Sequence, residues 1–248
     1  MFFFGCIFCK CLKSLILWSF TTIRKWQHQI LFWLNRKSSH TLLRRISTSG
    51  RLGILDAAEC PPTYGVPYDM VNGIIAGGPD CVFRASENAE DIEENGALDI
   101  EKNGVAAGDV VVGISVAGCA AYVVGALKKA RTLGAATIAL TCNEGCPIEK
   151  VSNIHICTDT GPEVITRSTR MKAGTAHKMV LNMLTTCAMV KIGNVYENMM
   201  INLKPTNIKL RKRMIQIVRD ICECEEDEVT KRLDQNDWSI RKAVGERK

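Results

Sequence analysis

The sequence predicts an α/β protein: a doubly wound parallel sheet flanked by helices, with a small C-terminal helical appendage. Three observations predict it. Short apolar runs of the kind found in strands covered on both faces recur at residues 72–78, 109–115, 136–142 and 153–159. The segments between them carry helical apolar spacing rather than hairpin turns. Strands joined through helices require right-handed crossovers, which lay the strands parallel and put any ligand at their carboxyl ends.

Taken in order, the first clear element is a helix in STSGRLGILDAAECPP (47–62). Its hydroxyl and glycine start caps free N–H groups, and the same groups also suit a phosphate. Pro61 and Pro62 are expected to end it, leaving Glu59 at the negative end of the helix dipole. NGIIAGG (72–78) reads as a strand, and ENAEDIEE (87–94) as the acidic face of a solvated helix. DVVVGIS (109–115) is the next strand, followed by a helix from Ala121 to Leu133 closed by Gly134 as a left-handed cap. ATIALTC (136–142) and NIHICTD (153–159) are strands. The longest helix starts near Arg170, keeps Ala176, Met179, Val180, Met183, Leu184 and Cys187 on one side, and ends at Gly193. After Pro205 comes an amphipathic helix (Leu210, Met214, Ile217, Val218, Ile221), then two short helices around DQND (234–237).

A chain of 248 residues with 46% hydrophobic content can bury a full core. Its net charge of +6 is unevenly spread: residues 1–55 hold nine Lys or Arg and no acid, whereas the remainder holds 23 basic and 26 acidic side chains. The body is therefore mildly acidic, and no basic stripe for nucleic acid is present. Twelve cysteines scattered through strands and helices fit reduced thiols better than a disulfide framework. Cys6, Cys9 and Cys11 lack a second Cys or His cluster at a usual ligand spacing, so no metal is expected there. Residues 1–45 do not match the rest. They carry three of the four tryptophans, and their apolar runs are broken by Arg24, Lys25 and His28 before reaching the roughly 20 residues of a membrane span. The segment fits an interfacial basic helix less well than an out-of-frame or mis-assigned start: among the codons allowed for residues 40–45 are some that, read one nucleotide later, can spell an apolar strand running into two glycines. The domain organisation expected is 1–45 atypical, 46–204 a ligand-binding α/β domain, and 205–248 a helical bundle.

A second cluster of hydroxyls, Ser168 and Thr169, precedes the long helix. The stretches TSGRLGILDAAECPPTYG (48–65), GPEVIT with STRMKAGTAHK (161–178) and VLNMLTTCAMVKIGNVY (180–196) resemble the N-acetylmuramic acid 6-phosphate etherases. These belong to the sugar isomerase superfamily, which also includes the glucokinase regulatory protein. The resemblance runs over roughly four-fifths of the chain, from about residue 47 to 244. It implies a sugar isomerase-type fold and a cytoplasmic homodimeric lyase with no metal or organic cofactor. Such a lyase cleaves the D-lactyl ether of a phosphorylated amino sugar by elimination and hydration, in cell-wall recycling. The family's catalytic glutamates fall on Glu59 and Glu90, and its substrate-binding positions on Thr48, Ser49, Gly50, Gly118, Ser168 and Thr169. The chemistry suits two carboxyl groups in different protonation states: one protonates the departing ether oxygen, the other takes the proton beside the open-chain aldehyde. The helix-end field would favour Glu59 as the acid, and a more exposed Glu90 as base or water activator.

Three departures bear on activity. RRIS (44–47) replaces the glycine-rich approach to Thr48, AGCAA (117–121) replaces the usual Ser-Gly-Arg-Thr-Pro, and Arg167 stands where the family has glycine. A non-catalytic sugar-phosphate sensor and an inactive truncated relative are the alternative readings. The sensor would need the ligand loops but neither glutamate.

Overall fold

The computed structural model of the protein describes residues 43–47, 50–86 and 88–245. The expected positions Thr48 and Ser49, and all but the last three residues of the 1–45 segment, lie outside these. The chain divides into two compact units, one comprising the residues up to Ala57 with Asp69–Leu184, the other Ala58–Tyr68 with Thr185–Lys248. The boundary expected at 204–205 falls inside the second unit.

The first unit is built on five parallel strands, β1 (Leu43–Ser47), β2 (Val71–Ile75), β3 (Val110–Ile114), β4 (Ala136–Thr141) and β5 (Ile154–Cys157), in the order β2-β1-β3-β4-β5. Helix α1 (Gly50–Tyr64) follows β1, α2 (Glu93–Lys102) precedes β3, α3 (Ala121–Thr132) links β3 to β4, the single turn α4 (Pro147–Lys150) links β4 to β5, and α5 (Lys172–Lys191) follows β5. This is the doubly wound parallel sheet. The strand order reverses at β1, so β1 and β3 leave the sheet on either side of a switch point, where open α/β sheets bind ligands. All residues of β3 and β4 are buried, which explains their unbroken apolar runs.

One core cluster joins Ile74 of β2 and Val111 of β3 to Ile100, Val123, Leu127 and Ile148. Helices α2 and α3 touch backbone to backbone. A Cβ at Gly96 would lie 1.9 Å from the Tyr122 carbonyl oxygen, and one at Gly125 would lie 2.0 Å from that of Glu93. Only glycine permits so close a crossing. Tyr122, almost fully buried, donates from its hydroxyl to Asp99 Oδ2 at 2.6 Å, and burial pushes its phenol well above the usual range. At the edge of the same crossing, Lys128 Nζ pairs with Glu93 Oε1 at 2.6 Å.

His177 of α5 is fully buried, and burial pushes its imidazole down to about 4 from an ordinary 6.5. A neutral buried histidine stabilises the fold fully above pH 6.5. That stability is lost as pH falls from 6.5 through the folded value, because the unfolded chain takes up the proton first. The difference corresponds to about 3 kcal/mol. Denaturant midpoints of the wild type should therefore fall between about pH 7 and pH 4.5 more steeply than those of His177→Gln; parallel curves would refute the assignment.

The second unit packs α6 (Ile208–Cys222), α7 (Glu226–Gln235) and α8 (Ile240–Val244) around Met214, Ile217, Val218, Val229, Leu233 and Ile240, with a two-stranded ribbon of β6 (Val195–Tyr196) and β7 (Met199–Met200). Asn207 caps α6 by accepting from Leu210 N at 2.8 Å, and Glu223 ends it in the left-handed region at φ 51°. Arg211 stacks over the Trp238 ring at 5.0 Å. Here lies one correction. The prolines do not end α1, which continues through Pro61 and Pro62 to Tyr64, where Gly65 N donates to Pro61 O at 2.9 Å. A proline removes an N–H donor, but its fixed φ is helical, so two in the last turns forfeit bonds without halting the chain. Within this unit the helix end is held by Asn202 Nδ2, which donates to Tyr64 O at 2.9 Å, and by the Tyr64 and Thr186 hydroxyls, bonded at 3.1 Å.

Candidate active site

In the first unit a shallow, open pocket of about 120 Å³ lies beyond the carboxyl end of β2, lined by Arg51, Ile75, Cys81, Ser86, Ala89 and Glu90 among others. Arg51 enters from the first turn of α1, and its Nε donates to Val82 O at 2.7 Å, fixing the guanidinium beside the turn that follows β2. Gly50 is buried at the start of α1; a Cβ there would lie 2.7 Å from Ile75 Cγ1, so the residue lets the helix start press against β2.

Glu90 is exposed and lines this pocket. Its backbone carbonyl accepts from Tyr122 N at 2.9 Å, satisfying an amide in the first turn of α3, whose N-cap Ala120 has no capping side chain. The glycine-mediated crossing of α2 and α3 thus carries the Glu90 segment onto the start of α3, beside the 117–121 loop. Gly118 lies in that loop, buried with φ 74°, and its N–H is already donated to Ser115, at 3.1 Å to both O and Oγ. The loop's former hydroxyl positions are alanines. Cys119, at the arginine position, is exposed, with its thiol 3.5 Å from Ala117 O.

Ser168 is half-buried and Thr169 exposed in the loop before α5. The first amides of α5 are occupied by an anion of the chain itself: Glu163 Oε2 accepts from Lys172 N and Oε1 from Ala173 N, each at 3.1 Å. The hydroxyls of this stretch drew the sequence reading away from Glu163, whose negative charge the helix dipole favours at this end. Lys172 Nζ folds back onto Pro162 O at 2.8 Å. Arg167 is exposed with φ 66°. The left-handed backbone explains why glycine belongs at this position, and an L side chain there costs on the order of 1 kcal/mol. Arg167→Gly is accordingly expected to raise stability by about 1 kcal/mol in urea unfolding; a loss of stability would show instead that the guanidinium holds the loop.

Glu59 is exposed and belongs to the second unit. It occupies the tenth of the fifteen positions of α1, so the negative end of the helix lies a full turn beyond it. Glu59 therefore does not stand at the helix end expected from Pro61 and Pro62. Three residues earlier, in the first unit, Asp56 is buried and its Oδ1 accepts from Asn182 Nδ2 of α5. Asp56, Arg51, Ser86 and Glu163 are the positions that sequence reasoning missed. Asp56 carried a signal, since it falls on the apolar side of α1.

No helix among the described residues is long and apolar enough to cross a membrane. The glucokinase regulatory protein N-terminal SIS domain model matches residues 28–131, and the SIS domain model matches residues 81–187. Phosphoheptose isomerase from Neisseria gonorrhoeae has the same fold, with a TM-score of 0.53 at 17% identity, covering 74% of this chain and 96% of that one. Fold and domain models together define a SIS-domain protein. Among curated relatives, the N-acetylmuramic acid 6-phosphate etherase of Bacillus subtilis (strain 168) is 49% identical over 197 residues, 79% of this chain and 65% of the relative. That of Mesorhizobium japonicum is 45% identical over 209 residues, 84% of this chain and 68% of the relative. The chain belongs to the N-acetylmuramic acid 6-phosphate etherase family, and it spans about two thirds of the length of these relatives.

Proposed function

We propose that the chain is a lyase that cleaves the D-lactyl ether of N-acetylmuramic acid 6-phosphate, giving N-acetylglucosamine 6-phosphate and D-lactate. The observation that carries this reading is Glu90, an exposed carboxylate lining a pocket at the carboxyl end of the sheet in a chain of this family. In the open-chain sugar the proton on the carbon beside the aldehyde is acidic. Glu90 removes it, and the electron pair expels the ether oxygen from the next carbon. Glu59 protonates that oxygen as the bond breaks, so D-lactate leaves as the neutral alcohol. Water then adds to the resulting double bond, giving its proton to the Glu59 carboxylate, while Glu90 returns its proton to the carbon beside the aldehyde, so both groups regain their starting states. The assignment of Glu59 rests on the family resemblance, its helix-end support having gone.

Ser168 and Thr169 supply hydroxyls for the 6-phosphate, with Thr48, Ser49 and the Gly50 helix start as the second anchor. Because Glu163 holds the first amides of α5, the phosphate there relies on side-chain donors. Gly118 serves the site by shaping its loop. A cytoplasmic homodimer working in amino-sugar recycling is part of the same reading.

A sugar-phosphate sensor, which needs the ligand loops but neither glutamate, is the second reading; the bare 117–121 loop favours neither it nor the lyase but an inactive relative. A hydrogen bond to a charged group contributes roughly 1.5–3 kcal/mol, so restoring Ala117→Ser with Ala120→Thr should tighten sugar-phosphate binding at least about tenfold in calorimetry. Unchanged affinity would place the phosphate away from this loop. Incubating the chain with the muramic acid phosphate and assaying D-lactate separates the two readings: release supports the lyase, and sugar-phosphate binding without release supports the sensor.

A further inference from the structure

We infer that Cys146, Glu149 and His155 form a cation site of zinc type in the crossover between β4 and β5. One ligand atom from each of the three lies within 4.8 Å of the other two. Cys146 is the buried N-cap of α4, Glu149 lies within that turn, and His155 stands near the start of β5. The whole set thus comes from one short stretch of chain and needs no distant element to assemble.

The hydrogen bonds around the imidazole prepare it as a ligand. Thr141 Oγ1 donates its single proton to Asn143 O at 2.8 Å, since a carbonyl can only accept. The 2.7 Å bond between Thr141 Oγ1 and His155 Nε2 must then be donated by the ring, which leaves the Nδ1 lone pair free. Nδ1 faces Glu149 Oε1 at 3.3 Å. Two lone pairs at that distance need a positive charge between or upon them. Tetrahedral zinc with bonds of about 2.0–2.1 Å to nitrogen and oxygen sets those two atoms about 3.3 Å apart. Closing the remaining gap to the thiolate takes side-chain movement on the order of 1 Å.

The surroundings fit a ligand set as well. Glu149 Oε2 accepts from Gly145 N at 2.6 Å, which orients the carboxylate, while the Thr141 bond orients the imidazole. The Cys146 thiol packs where Gly118 has no side chain: a Cβ there would lie 2.4 Å from Sγ. Thiolate, imidazole and carboxylate together favour zinc over magnesium or calcium. Glu149 and His155 are only half-buried, so a fourth position opens to solvent. Ile148 N donates to Gly118 O at 3.2 Å, so a bound ion would brace the 117–121 loop from behind. The site does not depend on the etherase reading.

The test is zinc binding by the full chain after chelator treatment, with X-ray absorption to identify the ligands and cobalt(II) as a spectroscopic probe. One zinc per chain is expected, with one sulfur and the remaining ligands nitrogen or oxygen. This binding should persist when Cys6, Cys9, Cys11, Cys222 and Cys224 are all replaced by serine. Cys146→Ser should abolish the thiolate-to-cobalt charge-transfer band, and Thr141→Val, which leaves all three ligands in place, should weaken zinc binding by roughly 10–100-fold. Circular dichroism checks that both variants fold. Failure to bind zinc, zinc held by several sulfurs, or binding unchanged in folded Cys146→Ser would each overturn the proposal; the first outcome would mean that a proton alone joins His155 to Glu149.

Discussion

Glu90→Gln is expected to lower the turnover number for D-lactate release by between about 100-fold and 10,000-fold, the usual contribution of a positioned acid or base. The amide keeps the shape and removes the basic oxygen. The backbone of residue 90, which caps the first turn of α3 through Tyr122 N, is untouched, so folding and the pocket should survive. KM should therefore move much less than the turnover number. Because the base acts before the ether bond breaks, the variant should also lose solvent deuterium exchange at the carbon beside the aldehyde. A variant with full exchange but no lactate would make Glu90 the acid that protonates the departing oxygen rather than the base.

Glu59→Gln should show the complementary defect. Lactate release is expected to fall by about 100-fold or more, since a glutamine cannot hand a proton to the departing oxygen. Exchange beside the aldehyde should continue, because Glu90 remains. Glu59 is exposed in the body of α1, so its replacement should leave the unfolding midpoint within about 0.5 kcal/mol of wild type. Full activity in this variant would remove Glu59 from the mechanism. Should both exchange and release disappear, the division of labour between the two carboxylates would be reversed.

The parallel sheet was legible because its strands announce themselves: an all-buried strand such as Val110–Ile114 has no polar face to disguise it. Gly134 and Gly193 marked helix ends for the same local reason, each taking a left-handed φ, at 80° and 79°. What depends on tertiary packing was not legible. No apolar run announces β1, yet Leu43–Ser47 pairs on both sides, with β2 and with β3. Pro61 and Pro62 mislead because proline removes a donor yet keeps a helical φ, so it need not stop a helix. The approach of Glu90 to the start of α3 depends on Gly96 and Gly125 meeting across two helices, a contact that no sequence spacing reveals. The family motifs carried the candidate glutamates, whereas Glu163 and the Cys146, Glu149 and His155 cluster emerge only once the crossovers are folded.

The most direct test of the central claim is the mass of the two products formed in ¹⁸O-labelled water. Elimination followed by hydration puts the label on the sugar carbon that carried the ether and leaves D-lactate unlabelled. Label in D-lactate would mean that water attacked the lactyl carbon instead, and no lactate at all would mean that this chain binds sugar phosphates without cleaving them; either result contradicts the account.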